Sequence, residues 1–188
     1  IFPNKQQEEL IQKTFGCCRF VYNYYLAKRI EIYETDKETF TYIQCANDMK
    51  QLKSEQKWLK EADSTVLQSS LKDLDIAYQK FFKEHTGFPK FKSKKDNKKS
   101  YRTNCNYPDR SKPKIEVSFE NNKIKLPKLK WVKAKISRNF EGKIKSATIS
   151  QVPSGKYFVS ILVETEHIPM KSTGCMVGID LGIKDLLI

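Results

Sequence analysis

The spacing of apolar residues divides the chain into a stretch with helical period and a stretch with period two. Leu67, Leu71, Leu74, Tyr78 and Phe81 recur four and three apart, leaving Gln68, Lys72, Asp75 and Gln79 on the other side. This is an amphipathic helix, and Asp63 or Ser64 can cap it. Near the start, Pro3-Asn4 precedes Leu10, Ile11 and Phe15, and Asn4 with Gln7 has capping-box spacing. Gly16 is expected to break or kink that run before a second helix bearing Cys18, Val21, Tyr22, Tyr25 and Leu26. A third helix is expected over residues 42–52. Gly87 and Pro89 end the helical half. Further on, Ile115, Val117 and Phe119 alternate with polar neighbours, Asn121-Asn122 is a hairpin turn signal, and Ile124 with Leu126 continues on the far side. More strands are expected at WVKAKIS, KSATISQV and KYFVSILVE, the last two joined across Pro153-Ser154-Gly155. Short strands with regular turns suggest a small barrel or sandwich.

The predicted class is therefore α+β, with a helical insert over residues near 5–84 and a β-module, barrel or sandwich, built mainly from residues 114–166. The expected organisation is a first barrel strand remnant at 1–4, helices at 5–86, a connector at 87–113, the β-barrel at 114–170 and the start of another domain at 171–188. Pro3 bars easy ladder pairing beyond it, so Ile1-Phe2 reads as the end of a barrel strand. The first residue is Ile1 rather than Met, and the last four residues read as a strand just beginning; both ends look cut.

Charge sharpens this picture. The net charge of the 188 residues is +13, and its distribution matters more than its size. Residues 1–82 carry 12 Lys/Arg against 12 Asp/Glu, residues 83–146 carry 20 against 6, and residues 147–188 carry 3 against 4. The whole excess thus lies in the middle third, an electrostatic footprint for a polyanion. Within it Phe88, Phe91, Tyr101 and Tyr107 interleave with Lys90, Lys92, Lys94, Lys95, Lys98, Lys99 and Arg102. That mixture suits a phosphate backbone with stacked or splayed bases. Phe88 and Phe91 can equally anchor the segment to the barrel, and both roles are expected. Taken alone, the segment reads as a loop that orders on binding.

Cysteine and histidine add little chemistry. Cys17, Cys18, Cys45, Cys105 and Cys175 form no C-x-x-C pair, and His85 and His167 are remote from them in sequence, so no zinc site is expected in this segment. No run of 18 apolar residues exists to span a bilayer, and a cytoplasmic setting without membrane contact is the default expectation.

The sharpest motif is GIDLGIKDLLI at residues 178–188. Asp180 lies in an apolar strand between Ile179 and Leu181. An ionised carboxylate there is costly to bury unless a cation or hydrogen bonds compensate. A divalent metal supplies that cation; a turn cap is the plainer alternative. This tail resembles the first RuvC motif of the TnpB family, the OrfB-type insertion-sequence transposases related to type V CRISPR effectors. The opening FPNKQQEELIQKTFGCCRFVYNYYL resembles the start of that family, labelled there a helix-turn-helix, and FPKFKSKK, SYR, GKIKSATIS and GKYFVSILVE match its middle in order and spacing.

The resemblance covers essentially the whole chain and implies a wedge-type β-barrel interrupted by a helical recognition domain, followed by the first hairpin of a RuvC-like (RNase H-like) nuclease domain. It implies a guide RNA and a double-stranded DNA target as partners. Base pairing would select the target while the protein reads shape and a short adjacent motif. Asp180 would then be a catalytic, magnesium-binding carboxylate. Two-metal catalysis needs several carboxylates holding ions roughly 3.5–4 Å apart. The family's further acids and its zinc ribbon lie beyond residue 188, so this segment by itself is expected to be inert in cleavage. The neutral balance of residues 1–82 argues against a DNA-binding role for that half alone, and Phe15, Phe20, Tyr22 and Tyr25 read as core. Gln68 and Lys72 on the polar face of the 67–81 helix are the exception, since Gln pairs with adenine and Lys reaches guanine or phosphate. The readings from other classes are a non-catalytic, transposon-derived DNA- or RNA-binding regulator, and an RNA-binding protein of ribosomal type.

Overall fold

In a computed structural model, which describes residues 1–97, 99–105 and 113–166, the capping box at the start forms as its sequence dictates. The Asn4 side chain accepts from the Gln7 amide at 2.9 Å, and the Gln7 side chain accepts from the Asn4 amide at 3.0 Å. Helix α1 then runs Lys5–Asp36 without interruption, so the expected break at Gly16 does not occur. One glycine costs a helix about 1 kcal/mol relative to alanine, and burial on both sides outweighs it. Ile11, Phe15 and Cys18 enter a core shared with the strands, whereas Cys17, Val21, Tyr22, Tyr25 and Leu26 enter a core shared with the other helices. Gly16 sits where the helix passes from one core to the other.

Thr41 and Gln44 form a second capping box at the head of α2, Tyr42–Glu55. A 3₁₀ turn at Lys57–Glu61 leads to α3, Ser64–Glu84. Asp63 caps α3 by accepting from the Thr65 amide and also accepts from the Thr65 hydroxyl. Leu67, Leu71 and Leu74 are buried as their spacing requires. Asp75, placed by pattern on the outer face, instead pairs with Arg29 of α1 at 3.3 Å. A guanidinium as enclosed as that of Arg29 needs a carboxylate. Asp48 of α2 accepts from Tyr25 at 3.1 Å and from Lys28 at 2.8 Å, so α1 is tied to both of its neighbours.

Six strands follow: β1 Lys99–Asn104, β2 Glu116–Ser118, β3 Lys123–Leu126, β4 Lys130–Lys133, β5 Lys143–Gln151 and β6 Tyr157–Glu164. They form two antiparallel sheets, ordered β1-β5-β6 and β2-β3-β4. The expected hairpin around Asn121-Asn122 is present, with Val117 opposite Ile124 and Asn122 left-handed at φ 49°. The connector expected at 87–113 is corrected in part, because strand β1 lies inside it. Tyr101 and Thr103 alternate inward along β1, a period-two signal hidden in the sequence by the density of lysine.

The inner faces meet in one core, where Ile124, Leu126 and Val132 from one sheet join Tyr101, Ala147, Ile149 and Tyr157 from the other beneath Ile11, Phe15 and Val66 of the helices. Among the described residues no ladder joins the two sheets, so the expected closed barrel is instead a pair of small sheets around a shared core. The chain's first residues touch both: Ile1 donates to the Tyr157 carbonyl at 2.9 Å, and Phe2 donates to the Lys133 carbonyl at 2.8 Å in a single antiparallel bridge. Ile1-Phe2, read from the sequence as the end of a barrel strand, makes one bridge here rather than a ladder. Gln7 reinforces the seam by donating to the carbonyls of Leu129 and Trp131, each at 3.0 Å. Among the described residues no helix is long and apolar enough to cross a membrane. The expected nuclease hairpin at 171–188 lies outside the described residues.

Candidate nucleic-acid interface

The segment from α3 to β1 is fixed by three local devices. First, α3 ends in left-handed His85 (φ 51°), and Phe88 turns back with its ring edge-on to Tyr78 and Phe81 at 5.6 and 5.3 Å. Phe88 thus anchors the segment to α3, not to the sheets. Second, the Asn23 side chain of α1 both donates to the Lys92 carbonyl at 2.9 Å and accepts from the Lys92 amide at 2.8 Å. The Lys92 ammonium rests 4.2 Å from the centre of the Tyr22 ring, an attraction between cation and π face. Third, Asp96 accepts from the Ser93 amide at 2.9 Å and the Ser93 hydroxyl accepts from the Lys95 amide at 3.1 Å, closing a turn.

Between this segment and α1 lies an open cleft of about 450 Å³, lined by Phe15, Cys18, Arg19, Lys92, Ser93, Asp96, Asn97, Lys99 and Ser100. Three cations face one carboxylate, and that carboxylate already holds the Ser93 amide. Short hydroxyl and amide side chains complete the wall. Such a lining suits phosphate oxygens, which accept hydrogen bonds from cations and neutral donors alike. The Cys18 thiol takes no part as a nucleophile, because burial pushes it up to about 12 and thiolate is the reactive form.

The structure brings together only some of the residues that the sequence singles out. Lys92 and Lys99 line the cleft. Lys90, Lys94 and Lys95 are exposed on the same segment and meet no carboxylate among the described residues. Tyr101 is a correction: it is 8% exposed, its ring lies edge-on to Phe15 at 5.5 Å, and burial raises its hydroxyl pKa. It packs in the core and offers no face to a base. Arg102 pairs with Asp73 of α3 at 3.0 Å, so it first serves to join β1 to α3. Gln68 and Lys72 are exposed on α3 and lie outside the cleft lining. Lys98, Tyr107 and Asp180 lie outside the described residues, among which no group of three or more metal-ligating side chains occurs. Arg19 is not legible in the sequence as a site residue. Its only signal is an isolated cation within the aromatic run GCCRFVYNYY, and it meets no carboxylate among the described residues.

Residues 1–38 match a family model described as a helix-turn-helix domain, of the OrfB IS605 kind, although α1 traverses most of that stretch as one helix. The chain is 37% identical over 187 residues to "Putative RNA-guided DNA endonuclease InsQ" of Escherichia coli (strain K12), covering 98% of this chain and 44% of that protein. It is 27% identical to "Putative RNA-guided DNA endonuclease" of Streptomyces pristinaespiralis, covering 99% of this chain and 45% of that one. A third match, 32% identical over 108 residues, is to "Virulence protein VsdF" of Salmonella dublin, covering 50% of this chain and 88% of that protein. The chain therefore spans less than half the length of the two endonuclease-named relatives. With the OrfB-type match at its head and relatedness running through its helices, basic segment and both sheets, the chain belongs to the TnpB family of insertion-sequence proteins.

Proposed function

We propose that this chain is the nucleic-acid-binding front portion of a transposon-encoded RNA-guided DNA endonuclease, holding guide RNA and target-adjacent DNA and incomplete for cleavage on its own. One observation carries the proposal: two relatives named as RNA-guided DNA endonucleases align with 98% and 99% of the chain. The geometry supports it. The cleft lined by Arg19, Lys92 and Lys99 takes the RNA backbone, with Lys90, Lys94, Lys95 and Lys98 extending the basic track. The exposed Gln68 and Lys72 of α3 face the duplex beside the target. The paired sheets correspond in this reading to the wedge barrel of the family.

Cleavage belongs to the remainder of the nuclease. Asp180 supplies one carboxylate of a magnesium site that downstream acids complete, and magnesium would there stabilise the charge that develops on the scissile phosphate. A second reading, a non-catalytic nucleic-acid-binding regulator of transposon origin, is favoured by the match to VsdF, since 88% of that shorter protein aligns within half of this chain.

The test is fluorescence anisotropy of the full chain with a labelled structured RNA across a salt series. Affinity is expected to fall steeply with salt, and Arg19→Ala/Lys92→Ala/Lys99→Ala together to reduce the log–log slope by about 2.1 to 2.7, roughly 0.7 to 0.9 for each phosphate no longer neutralised. A triple variant with wild-type affinity and slope would remove the cleft from the binding surface.

A further inference from the structure

The outer face of the β2-β3-β4 sheet carries an arrangement that packing does not explain. Ile124, Leu126 and Val132 point into the core, so by strand alternation Glu116, Ser118, Lys123, Lys125, Trp131 and Lys133 point away from it. The register sets Lys123 directly opposite Lys133, and Lys125 directly between Glu116 and Trp131. Lys125 is neutralised by Glu116 at 2.7 Å. Lys123 and Lys133 meet no carboxylate among the described residues. Like charges directly opposed on a sheet are destabilising, and a tryptophan left 43% exposed beside them adds an unpaired apolar surface.

The backbone beneath this face is nonetheless held firmly. Gln7 donates to the Trp131 carbonyl at 3.0 Å and Phe2 to the Lys133 carbonyl at 2.8 Å, so β4 is fixed on the side away from β3. A rigid platform with a flat aromatic ring and an unneutralised lysine pair has one natural complement. An unpaired nucleotide presents a base to stack on the indole and phosphates to separate the two ammonium groups.

We propose that this face is a second nucleic-acid surface, distinct from the cleft, at which Trp131 stacks an unpaired base while Lys123 and Lys133 hold the flanking phosphates. The ligand class is a single-stranded polynucleotide. The inference rests on the reading that the chain binds nucleic acid, but it adds a site and a mode of binding which that reading does not contain. It also accounts for the cross-strand lysine pair, which costs stability in the free protein and is relieved when phosphate arrives.

The experiment uses the full chain carrying Trp58→Phe, which leaves Trp131 as the sole tryptophan, since the sequence has two. It is titrated with oligouridylate and with oligothymidylate of roughly ten nucleotides, within the site sizes such surfaces occupy. Quenching of Trp131 emission by either strand supports the proposal, and the tighter of the two identifies the natural source. In the chain with Trp58 intact, Trp131→Ala is expected to weaken single-strand binding roughly tenfold, while Trp131→Tyr retains most of it because the stacking face remains. Lys123→Ala/Lys133→Ala is expected to lower the salt slope by about 1.4, from two phosphates at about 0.7 each, without lowering thermal stability. Unquenched emission at saturation overturns the proposal, as does equal quenching and affinity with a duplex of the same length. If the cleft triple variant weakens binding while Trp131→Ala does not, this second surface falls and the cleft reading stands. If Trp131 quenching persists in the triple variant, the two surfaces are independent as proposed.

Discussion

The adjacent thiols Cys17 and Cys18 show how position sets chemistry at the scale of one residue. Both point into cores, one into each of the two that meet at Gly16, and burial pushes Cys17 up to about 11 and Cys18 up to about 12 from an ordinary 9.0. Desolvation is the first cause for both, since a thiolate loses its hydration there. In the unfolded chain the same thiols ionise near pH 9, so between pH 9 and 11–12 the unfolded state binds fewer protons than the folded one. Stability therefore falls as pH rises through that window and is insensitive to these groups below about pH 8. Tyr25 and Tyr101 shift in the same direction, chiefly by burial, and steepen the loss at its upper end. Urea unfolding at pH 7, 8, 9 and 10 is expected to give a constant midpoint over the first two and a falling one over the last two. The Cys17→Ala/Cys18→Ala variant, whatever its stability at pH 7, is expected to lose less between pH 8 and 10. Equal losses in the two proteins would place the titrating groups elsewhere.

At the scale of elements, the segment between α3 and β1 is where sequence pattern and structure diverge most. Its charge density reads as a loop that orders on binding, yet Phe88, Asn23 and the Ser93–Asp96 turn hold it against the helices. What remains free is the set of ammonium groups at its crest. Replacing Lys94, Lys95, Lys98 and Lys99 together by alanine is expected to flatten the salt dependence of RNA affinity by up to about 3.6, at roughly 0.7 to 0.9 for each phosphate released. Circular dichroism should be unchanged, because the devices that fix the segment use the side chains of Phe88, Lys92, Ser93 and Asp96 and none of the four replaced. A slope equal to wild type would make these lysines plain solvated surface. The helices are legible in the sequence because their caps and period agree: Asn4 with Gln7, and Leu67, Leu71 and Leu74, stand where pattern puts them. The continuity of α1 through Gly16 is not, since two separate cores flank it and neither is visible in local spacing. Strand β1 is obscured because Tyr101 and Thr103 are its only inward residues amid Lys99, Ser100 and Arg102. The cleft is half legible, its lysines from composition alone, while Arg19 reaches it only because α1 is packed across the sheets.

For the whole molecule, the division between holding nucleic acid and cutting it predicts separable effects. The described residues contain a basic cleft, an exposed polar helix face and a lysine–tryptophan sheet face, but no cluster of three metal-ligating side chains. Cleavage in the proposed function depends on Asp180, which the sequence sets between the apolar Ile179 and Leu181. A lone carboxylate cannot hold two ions, so this chain by itself is expected to bind RNA and leave plasmid DNA intact with magnesium present. In a longer protein that continues past residue 188 with the family's remaining acids, Asp180→Ala is expected to abolish plasmid cleavage while guide and target binding stay within about twofold of wild type. That separation follows if the residue touches metal rather than nucleic acid. Asp180→Asn is expected to fail almost as completely, because the amide keeps the shape and loses the charge that a divalent ion needs. Asp185, at the start of the next predicted strand, is the internal control, and Asp185→Ala is expected to cut. Plasmid cleavage with guide RNA and magnesium, scored beside RNA binding for the three variants, decides the matter. Full cleavage by Asp180→Ala overturns the assignment, and loss of RNA binding together with cleavage would make Asp180 a structural residue instead.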